Sequence, residues 1–192
     1  ALIFIIVVAI LIAYLVVRRR NLMNNIIDTL SMVPYIIPGS VVGIALVIAF
    51  NRPPLVLTGS AIIMIIALII RRLPYTIRSS VAILQQIPMT VEEAAISLGC
   101  SKLQAFFKVT VPMMANGILS GAILSWVTII TELSTAIILY NRSTITLTLS
   151  IYVQVSRGSY GTAAAYATVL NLITILSLLI FMKLSKTKEI AF

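Results

Sequence analysis

The chain has 192 residues, of which 60% are hydrophobic and 10% are charged, with a formal net charge of +9. A soluble domain of this length needs far more polar surface, so the composition excludes that class and predicts a helical membrane protein. With no histidine and one cysteine, the chain also lacks the residues for a serine–histidine–aspartate triad, a histidine-based zinc site or an internal disulfide. No glycine-rich phosphate loop is present, so we expect no catalytic residue, no metal site and no cofactor on this chain.

Runs with few or no charges predict the membrane spans, because a helix needs about 20 apolar residues to cross the hydrocarbon core. We predict an all-α fold with about five transmembrane helices, over about 1–17, 34–50, 58–74, 113–139 and 160–182. Residues 21–32 are predicted to form an amphipathic segment at the inner surface, and Pro38-Gly39 interrupts the second span. Residues 1–192 form one transmembrane domain, which begins at Ala1 rather than Met and is expected to belong to a longer protein.

The cationic side chains predict the orientation. Eleven of the 14 lysines and arginines share one side of this layout: Arg18, Arg19, Arg20, Arg71, Arg72, Arg78, Lys102, Lys108, Lys183, Lys186 and Lys188. Only Arg52, Arg142 and Arg157 lie on the other side. The positive-inside rule then places the N-terminus outside and the C-terminus in the cytoplasm. Membrane topology and phospholipid contact explain the basic charge, so we expect no nucleic-acid partner.

Small residues recur at the spacing that brings membrane helices into close contact. They can serve packing within the helix bundle or a seam between two subunits, and the sequence does not separate these alternatives. The pairs are Gly39 with Gly43, Gly117 with Gly121, and Ala163 with Ala167.

A polar insert, residues 75–112, separates the third and fourth spans on the predicted cytoplasmic side. Thr90 and Glu93 have capping-box spacing, which predicts a short helix with Glu92 and Glu93 in its first turn. Gly99 stands where a left-handed C-terminal cap is needed. The same capping-box spacing at Ser101 and Gln104 predicts a second helix, which should end before Pro112.

This insert resembles the EAA loop of ABC importer permeases. The pattern is Glu93-Ala94-Ala95, Gly99 four residues later, and Val109-x-Val111-Pro112, on a cytoplasmic loop between predicted spans. The position after the second alanine is often basic in that family, whereas here it is Ile96, so one salt bridge to the ATPase is not expected. The resemblance implies that residues 88–112 are a coupling loop, and the residues expected to couple to the ATPase are Glu92, Glu93, Ala94, Ala95, Leu98, Gly99, Val109 and Pro112.

The resemblance to type I importer permeases also implies partners. In such proteins the short helix docks in a cleft of a cytoplasmic ATPase dimer, and a binding protein outside the membrane delivers the substrate. The chain would then be a multi-pass protein of the cell (inner) membrane that forms half of the substrate pathway beside a second permease half. ATP hydrolysis is expected on the separate ATPase chain.

Glu132 is the only acidic residue within a predicted span, in Thr131-Glu132-Leu133-Ser134-Thr135. A carboxylate at membrane depth is costly, so it should face a cavity or a partner group. Thr131, Glu132, Ser134 and Thr135 are therefore candidates for the substrate pathway. A structural hydrogen bond or a salt bridge that holds the fold explains Glu132 equally well.

The cargo is suggested by resemblance and limited by charge. The segments 34–45, 71–80 and 130–140 resemble the ferric-iron importers, and the outer end offers tyrosine oxygens that suit Fe(III). The predicted outer loops carry three arginines and no acid, so they would repel a naked trivalent cation and favour a chelated or anionic cargo. Phosphonate, polyamine, thiamine and sulfate remain open.

Two other classes of protein would explain part of this sequence. A secondary transporter or channel would account for the spans and for Glu132, but not for an ordered polar insert. An intramembrane enzyme would need several convergent titratable groups, and Glu132 has no partner that the sequence identifies.

Overall fold

The computed structural model describes residues 1–19 and 21–185, and within these ranges the chain is helical with no strand. The helices in chain order are α1 (Leu2–Arg18), α2 (Leu22–Ile36), α3 (Gly39–Ala49), α4 (Ala61–Gln86), α5 (Met89–Ser97), α6 (Lys102–Ala105), a π-helical turn (Phe106–Thr110), α7 (Val111–Met113), α8 (Ala115–Ile130), α9 (Ala136–Leu139), α10 (Leu147–Ser156) and α11 (Tyr160–Ser185).

Helix α4 is the centre of the bundle, with apolar side chains on two of its faces. One face packs against α1 and α8 and forms a core with Ala9, Ala13, Ile77, Leu84 and Met114. The other face packs against α3 and α9, around Val42, Leu46, Ile63, Ala67 and Leu139. Helix α11 packs against α8 and α10 but leaves most of its apolar side chains exposed, which suits lipid or another subunit.

The predicted spans overlap α1, α3 with the end of α2, α4, the α8–α9 pair and α11, and the predicted amphipathic segment 21–32 falls within α2. Among the described helices, α11 is the only one that is straight, long and apolar enough to span a membrane, over Tyr160–Lys183. The α2–α3 pair is bent by 107°, which confirms the break at Pro38-Gly39, and Lys102–Met113 with Ala115–Ile130 is bent by 65°. Each bent pair would add one span. The helical fold is therefore confirmed, whereas the count of five stays a prediction.

Two boundaries predicted from charge and polarity are wrong. Helix α4 continues past position 74 to Gln86, so the insert between spans begins at residue 87 rather than 75. The charges of Arg71 and Arg72 do not end the helix because both are paired inside the protein. The predicted outer loop 140–158 contains α10, which the Thr146 side chain caps by accepting a hydrogen bond from the Leu149 amide.

The second helix of the insert also differs from its prediction. It does not end before Pro112 but continues through α6, the π-helical turn and α7 to Met113. Pro112 is tolerated because it stands near the start of α7, where a missing backbone N–H breaks no hydrogen bond within that helix. The capping box of Ser101 and Gln104 is confirmed, with both reciprocal hydrogen bonds present.

The glycine pairs serve packing within this chain. A Cβ atom on Gly121 would lie 2.8 Å from the Cα atom of Thr76, and one on Gly117 would meet Ile83, so both glycines bring α8 close to α4. In the other pair, a Cβ on Gly43 would lie 2.9 Å from Cβ of Ile138. These contacts support the packing alternative over a seam between subunits for both glycine pairs.

Part of the predicted cytoplasmic charge lies outside the described residues, namely Arg20, Lys186 and Lys188. Of the remainder, Arg71 and Arg72 lie in the middle of α4 and are paired with Glu132. The orientation of the termini stays a prediction.

Candidate coupling segment and central charge cluster

Helix α5 is the short helix predicted from the EAA pattern, but it begins differently. It covers Met89–Ser97, with Pro88 at the N-cap position and no side-chain cap. The predicted capping box of Thr90 and Glu93 is therefore wrong, because Pro88 starts the helix before Thr90. Glu92 alone of the two glutamates lies in the first turn.

The end of α5 confirms the predicted left-handed cap at Gly99. This residue has φ +94°, in the region that only glycine enters without steric cost. The amide of Cys100 donates to the Ala95 carbonyl at 3.1 Å, and the amide of Gly99 donates to the Ile96 carbonyl at 2.9 Å. Together these bonds form a Schellman motif, which turns the chain sharply into α6.

One face of α5 is fastened to the C-terminal end of α1. The Arg18 Nε lies 2.7 Å from Glu92 Oε1, and these two side chains are only 7% and 6% exposed. The Tyr14 hydroxyl donates to Glu92 Oε2 at 3.1 Å, and Arg18 Nη2 donates to the Ile87 carbonyl at 3.0 Å. The Tyr14 ring also packs edge-on against Phe106, with centroids 4.7 Å apart. These contacts tie α1 to the segments before, within and after α5.

The opposite face of α5 is open. Glu93 and Ala94 are exposed, Leu98 is 88% exposed, and Ala95 is half-buried. Ile96, at the position that is often basic in the resembling family, is 39% exposed but lies on the side of Glu92, where it lines a cavity with Tyr14 and Arg18. Farther along, Val109 is half-buried and Pro112 is exposed. The predicted coupling residues thus divide into an inward anchor, Glu92, and an outward set that can meet another protein.

Glu132 lies in the break between α8 and α9, where it is 5% exposed and paired with two arginines of α4. Arg71 Nη1 is 2.6 Å from Glu132 Oε1, and Arg72 Nη2 contacts Oε2. The Thr135 amide and the Ser134 hydroxyl donate to the same carboxylate at 3.0 and 2.7 Å. The carboxylate therefore holds the turn that precedes α9 while it neutralises part of the arginine charge.

The cluster keeps an excess of positive charge, because two guanidinium groups face one carboxylate. The Nε atoms of both Arg71 and Arg72 are buried and have no hydrogen-bond partner within the described residues. Thr131 and Ser134 are exposed at its edge, whereas Glu132 and Thr135 are buried. Among the described residues no group of histidine, cysteine or acidic side chains could hold a bare metal ion.

The sequence patterns do not identify the ion-pair partners of Glu92 and Glu132. Arg71 and Arg72 were assigned to the cytoplasmic edge, although the apolar pattern of α4 resumes after them at Ile77 and Val81. This renewed apolar pattern indicates that the helix continues past Arg71 and Arg72. No local signal links Arg18 to Glu92, since 74 residues separate them.

A family model described as "Binding-protein-dependent transport system inner membrane component" matches residues 5–187, nearly the whole chain. The chain belongs to this family. The predicted resemblance to type I ABC importer permeases is thereby confirmed, and this permease chain is a membrane-embedded component of a transport system.

Curated relatives of this permease chain include several kinds of transporter. The ferric transport system permease protein FbpB of Actinobacillus pleuropneumoniae is 33% identical over 89% of the chain. The molybdate/tungstate transport system permease protein WtpB of Pyrococcus abyssi is 35% identical over 63% of it. The chain spans 25% of the length of that FbpB protein and 46% of that WtpB protein.

A solved structure shares the fold of this permease chain. It is a bacterial ABC transporter involved in the import of the acidic polysaccharide alginate, with a TM-score of 0.73 and 16% identity. The match covers 96% of this chain and 72% of the other chain. At this identity the likeness supports the fold and the helix order.

Proposed function

We propose that this chain forms half of the membrane pathway of an ATP-driven importer and couples it to a separate cytoplasmic ATPase dimer through α5. One observation carries the proposal. The inner face of α5 is anchored to α1 by the buried Glu92–Arg18 pair, while Ala94, Ser97 and the C-cap residue Leu98 are exposed to solvent on the side away from it. A helix of nine residues does not hold its shape in water alone, so this arrangement suits docking against another protein.

The remaining partners follow from the family. A second permease half would complete the pathway and cover part of the exposed apolar surface. A substrate-binding protein would dock at the side of Arg52, Arg142 and Arg157, with the N-terminus on that side and α5 in the cytoplasm. The net excess of cationic side chains near α5 supports this orientation.

The docking proposal can be tested by cysteine cross-linking, because Cys100 is the only cysteine. In a Cys100→Ser background, Ser97→Cys puts a thiol on the exposed end of α5. Ser156→Cys, an equally exposed serine at the end of α10, is the matched control. We expect a short bismaleimide to join Ser97→Cys to an ATPase subunit and to leave Ser156→Cys uncoupled from it. Cross-linking of the two positions with equal yield would contradict the proposal.

For the cargo, we propose ferric iron carried with anionic ligands. Similarity to FbpB supports iron, and the residual positive charge of the Arg71–Arg72–Glu132 cluster supports an anionic form of it. A bare trivalent cation would meet two guanidinium groups at the break between α8 and α9, and their repulsion opposes its passage.

A free oxyanion is the second candidate, because the same excess of arginine charge would attract it. The relatives named for molybdate/tungstate, sulfate and 2-aminoethylphosphonate transport add support. Uptake assays with radiolabelled ferric citrate, molybdate, sulfate and phosphonate in cells that carry or lack the transporter separate the two. We expect iron uptake to depend on the chain. If only the uptake of an oxyanion depends on the chain, the second candidate is favoured.

A further inference from the structure

A groove runs along the outer side of α1 and meets α6 and the π-helical turn. Its volume is about 290 Å³, and its walls are largely apolar, with Leu11, Leu15, Leu103 and Phe107 among them. Arg19 and Lys102 line the same groove, and both also line an adjoining cavity of about 140 Å³ next to α5. The groove thus joins an apolar wall to a pair of cations.

The apolar wall is open to the surroundings. Leu11, Leu103 and Phe107 are 50%, 71% and 64% exposed. Helix α1 rises about 1.5 Å per residue, so Leu11 stands about 12 Å deeper along the helix than Arg19. With Arg19 at the membrane surface, that depth is more than a third of a hydrocarbon core of about 30 Å, so the groove would extend into the acyl-chain region.

The two cations are available for a ligand. Arg18 forms an ion pair with Glu92. Neither Arg19 nor Lys102 forms an ion pair within the part of the chain that the structure describes. The acidic groups nearby are Glu92 and Glu93, which line the smaller cavity and not the groove. Glu92 is neutralised by Arg18, and Glu93 is exposed to solvent.

We propose that this groove binds a phospholipid with an anionic headgroup. The phosphate would lie between Arg19 and Lys102, and the first part of an acyl chain would pack against Leu11, Leu15 and Phe107. Cationic pockets at the cytoplasmic surface of membrane helices recognise such headgroups. The bound lipid bridges α1 and the π-helical turn that follows α5, and therefore stiffens the same junction that the Arg18–Glu92 pair fastens.

The charge and the depth of the groove favour lipid over protein. A soluble ATPase cannot reach Leu11, which lies below the membrane surface once Arg19 marks that surface. A second permease half could cover the apolar wall, but an anionic phospholipid matches the apolar wall and the two unpaired cations at its rim together. The proposal does not depend on the identity of the cargo.

The test uses tryptophan quenching in the assembled transporter, in nanodiscs. Trp126 is the chain's only tryptophan, so Trp126→Phe with Phe107→Trp places one emitter in the groove. Brominated phosphatidylglycerol should quench it at a much lower lipid fraction than brominated phosphatidylcholine. Adding Arg19→Gln with Lys102→Gln should raise the half-quenching fraction of phosphatidylglycerol about 25-fold, at about fivefold for each cation.

The control removes the same charge elsewhere. Arg52→Gln with Arg157→Gln deletes two exposed cations outside the groove and should leave the lipid preference unchanged. Equal quenching by both lipids in the parent protein would show that the groove has no preference for an anionic headgroup, and this would overturn the proposal. If neither lipid quenches the tryptophan in the assembled transporter, a protein covers the groove. That result would also overturn the proposal.

Discussion

Substitution of Gly99 is the sharpest test of the coupling segment, because the free-energy cost of a side chain there comes from the backbone conformation alone. A Cβ atom there would meet nothing within 4 Å, whereas φ is +94°. A non-glycine residue in this conformation costs about 1–2 kcal/mol, and a β-branched residue lies at the upper end. Such a cost changes an equilibrium by about 5- to 30-fold, which is large for a helix of nine residues that depends on its cap.

We expect Gly99→Val to insert and assemble but to lose most substrate-stimulated ATP hydrolysis and uptake in reconstituted vesicles. Gly99→Ala should show a smaller loss in the same direction. The physical reason is that the strain shifts the end of α5 away from the Schellman turn, so its exposed face no longer meets the ATPase in one fixed orientation.

Gly158 supplies the matched control. Its φ is +74°, and a Cβ there also meets nothing within 4 Å, but it lies between α10 and α11, far along the chain from α5. Gly158→Val should lower the thermal stability in detergent by a similar amount and keep ATP hydrolysis coupled to uptake. Equal uncoupling in both variants, or normal coupling in Gly99→Val, would refute the assignment of α5 as the coupling element.

Further expectations concern the two charge clusters, the helix packing and the topology. Glu92→Gln should destabilise the fold by about 3–5 kcal/mol, because Arg18 is left as a buried unpaired charge, and thermal unfolding in detergent measures this; an unchanged melting temperature would contradict the anchor. Glu132→Gln should reduce uptake while the complex with the ATPase still co-purifies, whereas loss of the complex would assign Glu132 a purely structural role. Gly121→Val should lower stability by about 1–3 kcal/mol, since its side chain would press on the backbone of α4, and an unaltered melting curve would show that α8 can move away. A reporter inserted at Asn51 should be accessible from outside the cell, and labelling of α5 from that side would invert the predicted topology.

The amino-acid sequence alone was sufficient for the class of the protein and for its local signals. Hydrophobic runs predict membrane helices because each run must satisfy its own backbone hydrogen bonds in lipid. The left-handed turn at Gly99, the capping box at Ser101 and the break at Pro38-Gly39 were also predictable, since each depends on residues within a few positions. The EAA spacing identified the family for the same reason, as it is a local pattern on one loop.

Other features were decided by tertiary structure. In the sequence, Arg71 and Arg72 look like the end of a span, but in the middle of α4 they pair with Glu132, which lies 61 and 60 residues later in the chain. The roles of Glu92 and Glu93 differ because α1 covers one side of α5, and adjacent residues of a helix face different directions. The role of a buried charge depends on the opposite charge that packing places beside it. The sequence alone specifies neither that partner nor the direction from which it approaches.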